Sequence, residues 1–156
     1  MSDASTTTEP SAEDAVAATE AKVRDFLSTF DDVDTEDDGS CSLQYGSARV
    51  YITTGVFDED QSIVRVKAQC VSGAKASPEL FKHVATFQAD VGHLTVTEEG
   101  DGSACIFFSH SLMGEFLNPA ELRMTVVAVA YEADRLDDGL AEQFGGTVYD
   151  ADSNSA

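Results

Sequence analysis

Basic residues are scarce in this chain. Lysine and arginine number nine in 156 residues, against 29 aspartates and glutamates, and the formal net charge is −20. Phosphate contacts need cations, so this balance argues against a nucleic-acid partner. Long apolar runs are missing as well. None approaches the roughly 18 residues of a membrane helix, so no membrane partner is expected. The first residues, MSDASTTTEPSAED, lack the basic and apolar regions of a secretory signal. Tryptophan is absent, and the three cysteines, Cys41, Cys70 and Cys105, lie far apart with no CxxC pair. That spacing speaks against a disulfide framework or a zinc site and for reduced thiols in a cytoplasmic protein. What remains is ample: 42% hydrophobic content over 156 residues supports one domain with a real core.

The acidic excess is unevenly spread. Residues 1–38 carry 12 acids and two bases, which is half of the net charge in a quarter of the chain. Two explanations fit: a solvated acidic tail and linker, or a general adaptation to a salty, halophilic cytoplasm where self-repulsion is screened.

Periodicity divides the chain into helices and strands. Ser11 and Asp14 form a capping box before a helix expected to run to about Phe30, with Val16, Val23, Leu27 and Phe30 on one face. An acidic loop, DDVDTEDDG, follows. CSLQY, SARVYITTGVF and SIVRVKAQCV then read as three strands, the last two joined by the turn residues DEDQ. Ser77-Pro78 starts a second helix, with Leu80, Phe81, Val84, Phe87 and Val91 as its stripe and Gly92 as its stop. HLTVT and SACIFFSHS are two more strands around the Asp101-Gly102 turn. Asn118-Pro119 opens a helix of about 25 residues whose stripe runs Leu122, Val126, Val129, Ala133, Leu136, Leu140 and Phe144, ended by Gly145-Gly146. The order is α-β-β-β-α-β-β-α. Each strand has one apolar and one polar face, which predicts an α+β two-layer sandwich, its antiparallel sheet covered by helices mainly on one face. Residues 12–150 are expected to form the single domain, with disordered tails at 1–11 and 151–156.

No chemical site emerges from the motifs. Asp34, Glu36, Asp38 and Gly39 match the opening of a calcium loop, but Tyr45 stands where the closing Glu belongs, so a solvated linker is the better reading. His83, expected on the polar face of the second helix, His93 and His110 lack metal-ligand spacing. Cys70 and Cys105 read as small core residues, and no nucleophile elbow or phosphate loop is present. No catalytic residue, cofactor or metal is therefore assigned. The one unexpected feature is the polar sheet face. It gathers Arg49, Arg65 and Lys67 beside Tyr51, Gln69 and His93. The plain reading is a solvated sheet face; the sharper one is a docking surface for an acidic segment, from a partner or from this chain's own N-terminus.

The C-terminal half carries a family resemblance. Phe107 to His110, the step Leu112-Met113-Gly114, the helix start Asn118-Pro119 and the closing run Asp137 to Gly146 are its motifs. With the layout of the N-terminal half, they resemble the YbjN-like and type III secretion (CesT-like) chaperone superfamily over about residues 12–149. The resemblance implies a non-enzymatic module that binds protein or extended peptide through sheet face or edge, often as a homodimer. Two other classes stay open: a regulatory adaptor acting on a basic partner through its acidic N-terminal tail, and, least favoured, an enzyme.

Overall fold

The computed structural model describes residues 11–149. Residues 1–10 and 150–156, where most of the expected tails fall, lie outside the described residues. Helix α1, Ala12–Leu27, begins at the Ser11–Asp14 capping box and ends three residues before Phe30. Strands β1, Asp34–Thr35, β2, Cys41–Tyr45, β3, Ala48–Asp58, and β4, Gln61–Lys75, follow. Helix α2, Pro78–Thr86, leads to β5, His93–Glu98, and β6, Ser103–Met113. A single 3₁₀ turn, Gly114–Phe116, precedes helix α3, Pro119–Phe144, and β7, Thr147–Val148, closes the fold.

The strands form one antiparallel sheet in the order β1-β2-β3-β4-β6-β5, and β7 pairs with β4. The two short strands β1 and β7 were not expected. They extend the five-stranded layer to seven, because the acidic loop and the chain after Gly146 each find two free ladder positions. All three helices share one face. There Val50, Ile52, Val64, Val66, Ala68, Ile106 and Phe108 meet Val23 and Leu27 of α1 and Leu122, Val126, Val129 and Ala133 of α3, all buried. The alternation that marks a half-covered sheet thus reports the true inner face. In α3 the expected stripe is the packed one; Leu136 alone is partly exposed.

Two expectations need correction. Helix α2 stops at Thr86, not Gly92. The Thr86 hydroxyl donates to the carbonyls of Lys82 and His83, and Phe87 turns to extended backbone. Phe87 and Ala89 then reach the core from a non-helical segment, which leaves Phe81 and Val91 on the surface. Gly92 serves a different purpose: at φ +79°, a Cβ there would lie 2.6 Å from the Phe108 ring. His83 does not sit on a polar face. Its ring lies 5.3 Å from that of Phe144 and 6.2 Å from that of Phe87.

A small polar node joins α1 to the sheet and to the 3₁₀ turn. Thr19 Oγ1 and Ser62 Oγ are 2.7 Å apart, both side chains buried. The Ser62 N–H donates to Glu115 Oε1 at 2.7 Å, and its hydroxyl to the same oxygen at 3.1 Å. Lys22 Nζ donates to the Gly114 carbonyl at 3.4 Å. Gly114 is buried at the centre. A Cβ there would overlap the Ser62 hydroxyl and stand 2.7 Å from Thr19 Oγ1. The Leu-x-Gly step is therefore a packing motif. It lets the first helix close on the turn that launches the last.

Candidate interaction surface

The helices leave the other sheet face open, and strand register decides what it carries. Tyr51 pairs with Lys67, Lys67 with Ser109, and Ser109 with His93, so these four form one row across β3, β4, β6 and β5. One step away, Thr53, Arg65 and Ser111 form the next row. On the other side lie Gln69, Phe107 and Thr95, with Arg49 at the start of β3. All six residues expected on the polar face, Arg49, Tyr51, Arg65, Lys67, Gln69 and His93, are thus placed on one surface.

The cations of this surface differ in their freedom. Arg49 is engaged: its Nη2 lies 2.6 Å from Asp34 Oδ2 and 2.7 Å from Ser42 Oγ. Donating to Asp34 raises the guanidinium above its ordinary value, with smaller contributions from the Tyr149 and Tyr51 phenols. Lys67 Nζ stands 3.9 Å above the centroid of the Phe107 ring, a cation–π contact that fixes the ammonium without neutralising it. Arg65 is exposed and lies over Gly55, where its Nη1 would be 3.1 Å from an added Cβ. Gly55 makes room for a guanidinium laid flat on β3.

Acids stay at the margins of this face. Its central outward positions on β3, β4, β5 and β6 are Arg49, Tyr51 and Thr53; Ile63, Arg65, Lys67 and Gln69; His93, Thr95 and Thr97; and Cys105, Phe107, Ser109, Ser111 and Met113. None of these is Asp or Glu, in a protein where acids outnumber bases 29 to nine; Asp58, opposite Gln61, stands at the end of β3, and Glu99 just beyond β5. Asp34 on β1 borders the surface, and Arg49 occupies it. Phe107 beside Lys67, and Ile63 and Met113 in the row beyond Arg65, add half-buried apolar area. Phe107 was missed because SACIFFSHS reads as a continuous apolar run; counting β6 strictly by twos would have put it outside. Cys105 also belongs here. It is not a core residue, and its thiol donates to Glu99 Oε1 at 3.1 Å. Cys70 is in the core, where burial pushes its thiol up to about 12.

Nothing else in the described residues assembles a reactive site. Asp34 serves Arg49 and Asp38 accepts from Ser40, so the acidic loop spends these carboxylates on its own structure. Among the described residues no three His, Cys, Asp or Glu side chains are placed to hold a metal ion. A groove of about 420 Å³ beside α3 is lined by Gln88, Asp90, Val91, Tyr131, Glu132 and Arg135. Its Arg135 is already bonded to Glu132 at 2.6 Å. No helix among the described residues is long and apolar enough to cross a membrane.

Comparison with known proteins bears on family and fold. The model of the family described as "T3SS (YopN, CesT) and YbjN peptide-binding chaperone 1" matches residues 13–152. Among solved structures, the Yersinia pestis type III secretion chaperone SycH, in complex with a stable fragment of YscM2, aligns with a TM-score of 0.50. It is 10% identical over 76% of this chain and 98% of its own. The ExsC–ExsE complex aligns with a TM-score of 0.56 at 13% identity, over 80% of this chain and 95% of that one. At such identities the likeness is one of fold. No curated protein sequence matches.

Proposed function

The chain belongs to the family of T3SS (YopN, CesT) and YbjN peptide-binding chaperones, and from that premise we propose that its open sheet face is where a partner polypeptide docks. The partner segment is extended, with carboxylates to meet Arg65 and Lys67 and apolar side chains to lie on Tyr51, Phe107, Ile63 and Met113. The observation that carries this reading is the centre of the outward surface, where no acid stands among the cations in a protein with net charge −20. Local attraction there fixes where and in which register a segment lands; apolar area holds it. The free ladder edge of β3 is a second anchor. β2 covers β3 only as far as the Cys41–Ile52 pair, so Thr53–Val56 have no strand on that side among the described residues. A segment added there gains backbone hydrogen bonds whatever its sequence.

The test uses a synthetic ten-residue peptide of alternating Asp and Leu, titrated calorimetrically at two salt concentrations. Arg65→Glu with Lys67→Glu is expected to weaken binding tenfold or more, and salt to weaken it in the native chain. Equal affinity for both proteins would remove the open face as the docking surface.

Homodimerisation belongs to the same proposal. The outer face of α3 leaves Met124 66% and Tyr131 63% exposed, the latter lining one groove with Val91. Burying such side chains against a second copy would stabilise a dimer. Light scattering giving the mass of one chain at micromolar concentration would overturn it. The free thiols at Cys41, Cys70 and Cys105 suit a reducing compartment such as the cytoplasm.

A further inference from the structure

Gly55 stands inside β3 without a backbone reason. Its φ is not positive, so the chain there would suit any residue. Glycine weakens a strand interior, and it is found there where a ligand or another backbone comes close. What fills its place is Arg65. Register sets Arg65 opposite Thr53 and Ile63 opposite Gly55, so the guanidinium reaches diagonally along the open face toward the hairpin tip. Its Nη1 would stand 3.1 Å from a Cβ on Gly55, and apart from the chain neighbours no other atom comes within 4 Å of that point. Neither ion pair among the described residues uses Arg65.

The guanidinium thus lies at a free edge. β2 ends its pairing with β3 at Cys41–Ile52, and Thr53–Val56 keep one side of their ladder open among the described residues. In an antiparallel strand added there, the residue opposite Gly55 shares the outward face with Arg65, its Cβ about 5 Å away. An Asp or Glu side chain covers that gap and meets a planar cation whose paired donors match a carboxylate. The residues on either side point to the helix layer, beside Thr54 and the exposed, apolar Val56. Asp58 follows three positions after Gly55, about 10 Å at the rise of a strand, so a carboxylate shifted toward the tip leaves Arg65 and approaches an acid. A second copy of this edge fits badly. Paired antiparallel about Gly55, it would set the two Arg65 side by side, and like charges directly opposite repel.

We propose that Gly55 and Arg65 together form a charge filter on the free edge of β3. The edge takes an extended partner strand that carries Asp or Glu opposite Gly55, between apolar neighbours, and prefers it to the same strand with an amide there or to another copy of this chain. The inference rests on the open face and its edge being where a partner docks. Backbone hydrogen bonds alone would accept any sequence; the filter adds a register and a required charge at one position. Gly55 sets that specificity through what it lacks. A larger side chain there would lift the guanidinium away from the edge and leave the charge of the protein unchanged.

The experiment titrates the Asp-Leu peptide and its Asn-Leu counterpart calorimetrically into the full chain at low salt. The native chain is expected to prefer the Asp peptide about tenfold or more. Gly55→Thr keeps every cation and suits a strand, yet should cut that preference at least threefold. Arg65→Gln should cut it as far with no side chain added at the edge. A Gly55→Thr chain that keeps the full preference overturns the filter. Two further peptides locate the strand: one N-methylated at every Asp, the other at every Leu, so that each loses the ladder donors of one edge only. One should bind and the other fail; equal behaviour of the two overturns the edge position. Peptide affinity that weakens as protein concentration rises, the sign of copies occupying one another's edge, overturns it as well. Indifference to Arg65→Glu with Lys67→Glu instead removes the docking surface itself. If that double variant loses binding while Gly55→Thr keeps its preference, the filter alone falls.

Discussion

Replacing Gly114 by alanine probes the contact on which the three-layer junction of α1, sheet and α3 depends. The added methyl would lie 2.7 and 2.8 Å from Oγ1 and Cγ2 of Thr19 and would overlap the Ser62 hydroxyl. Ordinary carbon contacts need about 3.5 Å or more, so α1 must retreat by most of an ångström or Ser62 must turn away. Overpacking of this kind costs about 1–3 kcal/mol. If Ser62 turns, its hydrogen bonds to Thr19 and Glu115 are lost as well, at about 1 kcal/mol each. Together these give about 3–5 kcal/mol, a large part of the ~5–15 kcal/mol that holds a domain together. For a domain of this size that lowers Tm by roughly 6–20 °C. Urea titration followed by circular dichroism at fixed salt measures it directly. Ser62→Gly in the alanine background should recover part of the loss by making room for the methyl. A Gly114→Ala protein within about 0.5 kcal/mol of the native one would refute the reasoning, because it would mean that α1 is not seated on this turn.

Other outcomes follow from the same structure. Asn118→Ala removes the side chain that accepts from the Glu121 N–H at 2.9 Å and should cost about 1 kcal/mol in the same titration. Glu115 should contribute to acid sensitivity. Burial raises its pKa, but the Ser62 N–H and hydroxyl together with Lys22 outweigh it and leave the carboxyl below its usual value. A depressed folded value means stability that is present above about pH 4.3 and lost as pH falls through the folded pKa. Glu115→Gln should therefore flatten the acid limb of a stability–pH curve and leave its slope above pH 6 unchanged. Cys70, its thiol pushed up to about 12 by burial, should resist iodoacetamide at pH 8 in the folded protein and react on unfolding. Rapid alkylation under native conditions would show that β4 opens locally.

Much of this fold was legible because its signals are local. The Ser11–Asp14 box, the Ser77-Pro78 start and the Asn118-Pro119 start each make the expected side-chain cap. The inner faces of β3, β4 and β5 followed from alternation. The failures have a common cause. In α2 the apolar spacing of Phe87 and Val91 fits a helix as well as a segment crossing over Phe108, and only the tertiary fit of Gly92 against that ring decides between them. β1 and β7 are two residues each, too short for any period to register, and exist because β2 and β4 offer open ladder groups. The candidate surface was half legible. Its cations stood out against the acidic background, but the neutralisation of Arg49 by Asp34 is a pairing between β3 and β1 across β2, 15 positions apart, that no spacing announces.

The position of β7 has a bearing on how the protein is made. β4 is bonded on both flanks, and the flank of Cys70 to Ser72 is filled by residues 147–149. During synthesis these carbonyl and amide groups emerge more than seventy residues before their partners. The central strand thus spends the translation of β5, β6 and all of α3 with a gap in its border. A growing chain carries there an opening into which a neighbouring nascent strand could slip, until β7 emerges and shuts it.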